Sequence, residues 1–504
     1  MSEPNAARPD GDDAKKRQRE LVDRLLQQAA VTQDASVRLH DGRSLDYTVS
    51  AEFLPAYEPG IAGSHGESEC AVFTTAYLAR GEQRGPRPVC FAFNGGPGSS
   101  SVWLQFGALG PKRVRIEDDG SMPPPPYALQ DNPLTWLEHF DLVFVDPPHT
   151  GYSVAASDDA RKKLLSVDGD VQALSQVVGR WLTRHKRWNS PLLLAGESYG
   201  TTRGAAIADQ LLNDGVPLAG LVLVSCAMDL QTLVFNPGND LPYALFLPGF
   251  ACVAQYHGML KGSVGESPAS ARAAAEAFVE DSYLQALFRN GRLTHDERRR
   301  VALRLAELTG LQPAFVEEQN LRVSDQDFFF ELLRAQGRIV GRLEARATAP
   351  MAAKRKRSWE FDPGMEALVG PYTMAAQAFF GELGLPPERR YEVFSMDTNK
   401  QWNWNRGEDR GNSYANTTTE LARAMRRNPH LRVFVATGHY DLGTPYSATN
   451  YSLDQLDIDA QVRQRIEHRY YDAGHMMYTR EADLRQLQQD LAGWWQGGAA
   501  RAPG

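Results

Sequence analysis

Pro191-Leu192-Leu193-Leu194-Ala195-Gly196-Glu197-Ser198-Tyr199-Gly200 decides how the rest of the chain is read. A short apolar run, which reads as a buried strand, leads directly into Gly-x-Ser-x-Gly. The two glycines allow a turn too tight for a neighbour carrying a Cβ. Such a turn lifts the hydroxyl of Ser198 above the end of a sheet. From Thr201 to Asn213 the apolar residues Ala205, Ala206, Ile207, Leu211 and Leu212 fall at helical spacing. Strand, sharp turn and helix together are the setting of a nucleophile elbow. With 43 glycines in 504 residues the five-residue pattern alone also arises by chance. The flanking elements and the partners of the serine therefore carry the reading.

A serine hydroxyl is a weak nucleophile without an adjacent base. On this kind of scaffold an acid and then a histidine follow the serine in the chain, each just past a strand end. Of 11 histidines, His475 fits best. It follows the strand-like Arg469 to Tyr471 through Asp472-Ala473-Gly474 and precedes the last helix. The acid is read as Asp441, beyond the strand-like Arg432 to Ala436. Asp472 is the competing acid, and His439 and His149 are the alternative bases.

The segments around these residues alternate. Asp13 to Val31 is predicted as a surface helix after a disordered start. Strands are predicted at Val37 to Leu39, Tyr47 to Val49, Ala71 to Leu78, Val89 to Phe93, Leu142 to Val145 and Leu221 to Val224. A helix is predicted from Asp170 to Arg187, striped by Val171, Leu174, Val177, Val178 and Trp181. From residue 230 to about 385 the texture turns to Ala, Arg, Glu and Leu at helical spacing. A final amphipathic helix covers Glu481 to Trp495. Strands alternating with helices predict a mostly parallel sheet, and the helical stretch predicts an insertion over its strand ends. The expected division is a disordered and helical extension (1–35), a first core part (36–230), a helical cap (231–385) and a second core part (386–504).

Composition bounds the function. The chain is 42% hydrophobic, enough for a full core, and its net charge of -8 argues against nucleic acid or an anionic membrane as partner. Leu241 to Leu260, broken by Pro242, Pro248 and Gly249, is poorly suited to span a bilayer. Met1 to Arg19 is polar, without the apolar core of a secretion signal. Cys70, Cys90, Cys226 and Cys252 are widely spaced and form no metal pattern. These features give the expectation of a reduced, cytoplasmic protein with no metal and no cofactor. The isolated basic run Lys354-Arg355-Lys356-Arg357 reads as a solvated loop or helix face.

Further segments carry a resemblance. Asn94-Gly95-Gly96-Pro97-Gly98 is similar to the signature of the serine carboxypeptidases, the cathepsin A-like branch of the α/β-hydrolases. Gly107 to Pro111, Asn132 to Trp136, Asp146 to Ser153, Gly196 to Gly200 and Ala473 to Met476 resemble that family's further motifs, in order. The resemblance spans roughly residues 70 to 230 and 390 to 495. It implies an α/β-hydrolase fold, with a mostly parallel central sheet, helices on both faces and a mainly helical cap insertion. It implies Ser198 as nucleophile, His475 as base and Asp441 as its orienter. The backbone N–H groups of Gly96 and Tyr199 become the oxyanion hole. Asn94, Gly95 and Glu197 become the groups that meet a substrate's C-terminal carboxylate. One carboxyl holds another only if one of them is protonated.

Three positions depart from the family pattern. Its second glutamate is Ala108 here, its cysteine after Gly-Pro-Gly is Ser99, and the acid of its strand-end Gly-Asp is His439. His439 and Arg203 are the candidates to replace the lost carboxyl. The expected activity is hydrolysis of C-terminal peptide bonds through an acyl-enzyme on Ser198. The alternatives are an esterase or acyltransferase on the same scaffold and, more remotely, an inactive peptide-binding protein. The partner is a peptide or small acyl substrate. The oligomeric state stays open, a homodimer being one candidate. Trp402 and Trp404, and likewise Tyr243, Phe246 and Phe250, are assigned either to a pocket wall or to packing.

Overall fold

The computed structural model describes residues 11–499, apart from 58–66, 82–85, 356, 358–359, 386–388 and 408–413. Nine strands build the main sheet: β1 Val31–Arg38, β2 Ser44–Tyr57, β3 Ser68–Ala79, β4 Val89–Phe93, β5 Asp141–Val145, β6 Leu192–Glu197, β7 Gly220–Val224, β8 Arg432–Gly438 and β9 Ile466–Tyr471. Their order is β1-β2-β3-β5-β4-β6-β7-β8-β9, with the two-residue strand Val154–Ala155 beside β3. The first three strands pair antiparallel, as do β3 and β5. Every pairing from β5 to β9 is parallel. This is the α/β-hydrolase fold.

Both faces of the sheet are buried, which is why its central strands are unbroken apolar runs. In β4, Cys90 and Ala92 enter one apolar layer, and Val89, Phe91 and Phe93 enter the other. The helices that cover the sheet include α1 Gly11–Gln27, α2 Val167–Arg184, α3 Tyr199–Asn213, α4 Pro363–Glu382, α5 Thr418–Arg427 and α6 Glu481–Ala499. Residues of α2, α3 and α5 share one layer. Residues of α1, α4 and α6 share the other. Helix α2 starts where the Ser166 side chain accepts from the Gly169 N–H, with Asp168 and Asp170 in its first turn. Its stripe then buries Trp181 edge-on against Phe91, at 5.4 Å.

Between β7 and β8 the chain runs through a mainly helical insertion. Its helices up to Leu333 gather in a third apolar cluster, which Tyr440 and Leu442 from beyond β8 also enter and in which Phe250 stacks on Phe328 at 4.2 Å. Phe246 and Phe250 are buried in this cluster and Tyr243 packs against it, so all three are packing residues. Helical spacing did not foretell the two-stranded ribbon of Arg338–Val340 with Thr348–Pro350. The first helix also ends earlier than expected. It covers Gly11–Gln27, and Val31 opens β1, so the predicted N-terminal extension already contains sheet. Residues 1–10 lie outside the described residues, as does Lys356 of the basic run. Arg357 of that run pairs with Glu331 at 2.8 Å. Among the described residues no helix is long and apolar enough to cross a membrane. The four cysteines are buried free thiols.

One buried ion pair fixes the floor beneath the elbow. Arg203 of α3 is fully buried, and its Nε donates to Asp170 Oδ2 at 2.7 Å. Its Nη1 donates to the carbonyl of Asn94. The guanidinium also lies over the rings of Phe93 and Tyr199. Removing one member of such a pair strands the other charge, whereas removing both costs less. Arg203→Ala is expected to lower the unfolding free energy by about 3–5 kcal/mol at neutral pH. The double variant Asp170→Leu/Arg203→Met is expected to lose less, and urea unfolding of both proteins measures the difference.

Candidate active site

Ser198 closes β6 and caps α3. Its backbone sits at φ 59° and ψ -130°, a region that side-chain-bearing residues rarely adopt. Crowding on either side explains the two flanking glycines. A Cβ on Gly196 would come within 2.1 Å of the Gly200 carbonyl oxygen, and one on Gly200 within 2.8 Å of the Phe93 carbonyl oxygen. The turn is held by the Ser198 N–H donating to Val224 O at 2.9 Å and by Thr201 donating to Ser198 O. Ser198 is left half-buried at the wall of a cavity of about 610 Å³.

His475 lines the same cavity. It is buried, and its Nδ1 lies 2.7 Å from Asp441 Oδ2. Asp441 in turn accepts from the Gly443 and Thr444 N–H groups and from the Thr444 hydroxyl. Burial alone would lower the His475 pKa, but the charge of Asp441 and its hydrogen bond outweigh it and hold the imidazole above its ordinary value. With Nδ1–H committed to Asp441, Nε2 is the nitrogen free to accept a proton. Asp472 instead bonds His439 Nδ1 at 3.3 Å. His439 also meets Arg272 at 2.9 Å. His149 is held well down, at about 4, by its burial, and like His439 it does not line the cavity.

Gly95 and Gly96 lie along the elbow. A Cβ on Gly95 would stand 2.4 Å from the Tyr199 nitrogen and 2.7 Å from the Gly200 nitrogen, so only glycine lets this loop pass. Among the described residues the Gly96 and Tyr199 backbone N–H groups donate to no acceptor. Tyr199 sits at a helix N-terminus, where such donors favour negative charge.

Glu197 and Asn94 meet below this loop. Asn94 Nδ2 donates to Glu197 Oε1 at 2.9 Å, while Asn94 Oδ1 accepts from the Leu104 N–H at 3.0 Å, which fixes the amide orientation. Glu197 is fully buried, and burial is the main reason its pKa is pushed up to about 7. Neither proposed replacement for the lost carboxyl is at hand. Arg203 is committed beneath the elbow to Asp170 and Asn94, and His439 is engaged outside the cavity. Trp402 and Trp404 pack edge-on to Tyr199 at 5.2 and 5.5 Å, behind the elbow, and not in the cavity.

Sequence reasoning missed two groups of residues. Tyr478, three positions after His475, donates to Glu197 Oε2 at 2.6 Å. The insertion supplies the second group through a strap at Arg342 to Arg346. The Leu343 carbonyl accepts from the His475 N–H at 2.7 Å, and the Arg342 carbonyl accepts from the Leu442 N–H at 3.0 Å. The Glu344 carboxylate, braced by Arg346, accepts from the Gly474 N–H at 2.9 Å. Arg342, Leu343, Phe361, Met365 and Val369 line the cavity beside Trp103 and Phe394. Nothing in the sequence marked Tyr478 or the strap.

Residues 70–229 match the serine carboxypeptidase family model. Serine carboxypeptidase-like 51 of Arabidopsis thaliana is 26% identical over 167 residues, covering 31% of this chain and 33% of that protein. Serine carboxypeptidase-like 50 of the same plant is 31% identical over 166 residues, covering 31% and 34%. The chain thus spans about a third of the length of these relatives. Among solved structures, the peroxisomal alpha-beta-hydrolase Lpx1 from Saccharomyces cerevisiae aligns over 91% of each chain, at 9% identity and a TM-score of 0.37.

Gly95→Ala is expected to push the loop off the elbow and displace both free N–H groups. The expected result is a fall in kcat on an activated ester of about 100-fold or more, with little change in circular dichroism.

Proposed function

We propose that this chain, whose residues 70–229 match the serine carboxypeptidase family model, is a serine hydrolase that removes the C-terminal residue of peptides. His475 Nε2 takes the proton of Ser198 Oγ, which attacks the carbonyl carbon of the terminal peptide bond. The oxyanion forms against the Gly96 and Tyr199 N–H groups. His475 then protonates the leaving amine. Water, deprotonated by the same imidazole, releases the acyl group and restores Ser198. Asp441 holds the imidazole tautomer and stabilises its charged form. Asn94, Gly95 and Glu197 meet the substrate carboxylate. The substrate is a peptide or small acyl compound, and the division into core and cap at residues 231–385 is part of this proposal.

The observation that carries the reading is the position of Glu197. It is a fully buried carboxyl next in sequence to Ser198, in the cavity that Ser198 and His475 line. Burial raises its pKa to about 7, so below that value it carries a proton to offer a carboxylate. One observation favours a second reading, an esterase or acyltransferase. Ala108 supplies no second carboxyl, and a phenol occupies the other oxygen of Glu197.

A blocked dipeptide acid and its amide distinguish the two. The carboxypeptidase reading expects the acid to have the higher kcat/KM below pH 7. It expects that advantage to fade as Glu197 ionises above about pH 7. Glu197→Gln should remove the pH dependence of the preference. Equal rates on acid and amide at every pH would leave the esterase reading.

A further inference from the structure

Glu197 has no carboxylate partner among the described residues; its two oxygens go to two neutral donors. The second donor is there because the main chain makes room for it. A Cβ at Gly107 would lie 2.4 Å from Tyr478 Cε2 and 2.6 Å from the Tyr372 hydroxyl oxygen. Both phenol rings therefore converge on the space over Gly107. Both are buried, and Tyr372, packed on Trp103 at 4.8 Å, has no hydrogen-bond partner among the described residues. Tyr478 donates a hydrogen bond that ties the histidine loop to the residue before Ser198.

We infer that Tyr478 stands where a second carboxyl would otherwise share a proton with Glu197, and that its hydroxyl sets the pH range over which the cavity accepts a C-terminal carboxylate. A phenol donates a hydrogen bond but, at ordinary pH, has no exchangeable charge to contribute. Its bond favours the ionised form of Glu197. A site built this way holds one proton on one group and loses carboxylate affinity when that proton leaves. The other groups that face Glu197 are His475, which favours its ionisation, and Asp441, which opposes it. Tyr372 approaches from α4, and Arg113 acts on that phenol from the outer side, where it is paired with Glu481. None of these is a carboxyl close enough to share the proton by a hydrogen bond. Tyr478 is a positioning residue, acting on substrate through Glu197. The inference rests on the carboxypeptidase reading only for what the proton is used to bind.

The test is a titration of the Glu197 carboxyl by infrared difference spectroscopy, its band identified by loss in Glu197→Gln, with KM for the acid and amide substrates followed over the same pH range. In Tyr478→Phe the titration is expected to move up by about one pH unit, the effect of losing one hydrogen bond to a charged group. The range of tight acid binding should widen with it. Gly107→Ala, which displaces the Tyr478 ring, should move the titration in the same direction and serves if Tyr478→Phe folds poorly. An unmoved titration in both variants overturns the inference. A moved titration with no distinction between acid and amide in the unaltered protein would retain the role of Tyr478 and remove the carboxypeptidase reading.

Discussion

The backbone of Ser198 is held where a residue with a side chain does not settle by itself. A conformation of this kind costs about 1–3 kcal/mol and persists only where its surroundings over-determine it. Here they do so from every side. Strand β6 delivers the chain between β4 and β7, Val224 binds the Ser198 N–H, and Gly196 and Gly200 touch across the turn. The Arg203–Asp170 pair braces the same turn from below while also holding the carbonyl of Asn94. The elbow and the Asn94–Gly96 loop are thus fixed by one shared support. Their relative placement, on which any oxyanion geometry depends, does not rely on loop stiffness.

His475 arrives from the other half of the chain and is tied in differently. His475 and Asp441 lie on loops after β9 and β8, and both loops are stitched to the insertion through backbone carbonyls and the Glu344 carboxylate. The insertion consequently has two roles. Its helical part packs into a cluster shared with Tyr440 and Leu442, and its strap forms part of the frame that holds the histidine. Tyr478 adds the cross-tie from that frame back to Glu197. Ser198, His475 and Glu197 are therefore held in one connected network, in which the support of each is a residue of another segment.

The parts of this network legible in the sequence are those set by neighbours in the chain. The elbow was readable because strand, glycines, serine and helix are contiguous. The choice of Asp441 and His475 followed from strand ends in order. The resemblance through Asn94 to Gly98 supplied the loop. Contacts between distant segments were not readable. Arg203 looked like a free cation for the cavity, but α3 turns it inward onto Asp170. The strap was hidden because it acts mostly through carbonyl groups, which every residue carries, inside a region whose composition signals only helix. Tyr478 was hidden because its partner is 281 positions away.

Stoichiometric labelling with a fluorophosphonate, located by peptide mass spectrometry, bears most directly on the claim that this network activates Ser198. The account predicts one label per chain, on Ser198, in the native protein, with labelling lost in His475→Ala and after unfolding. Labelling at another serine, or native protein that stays unlabelled under conditions where activated serines react, would contradict it.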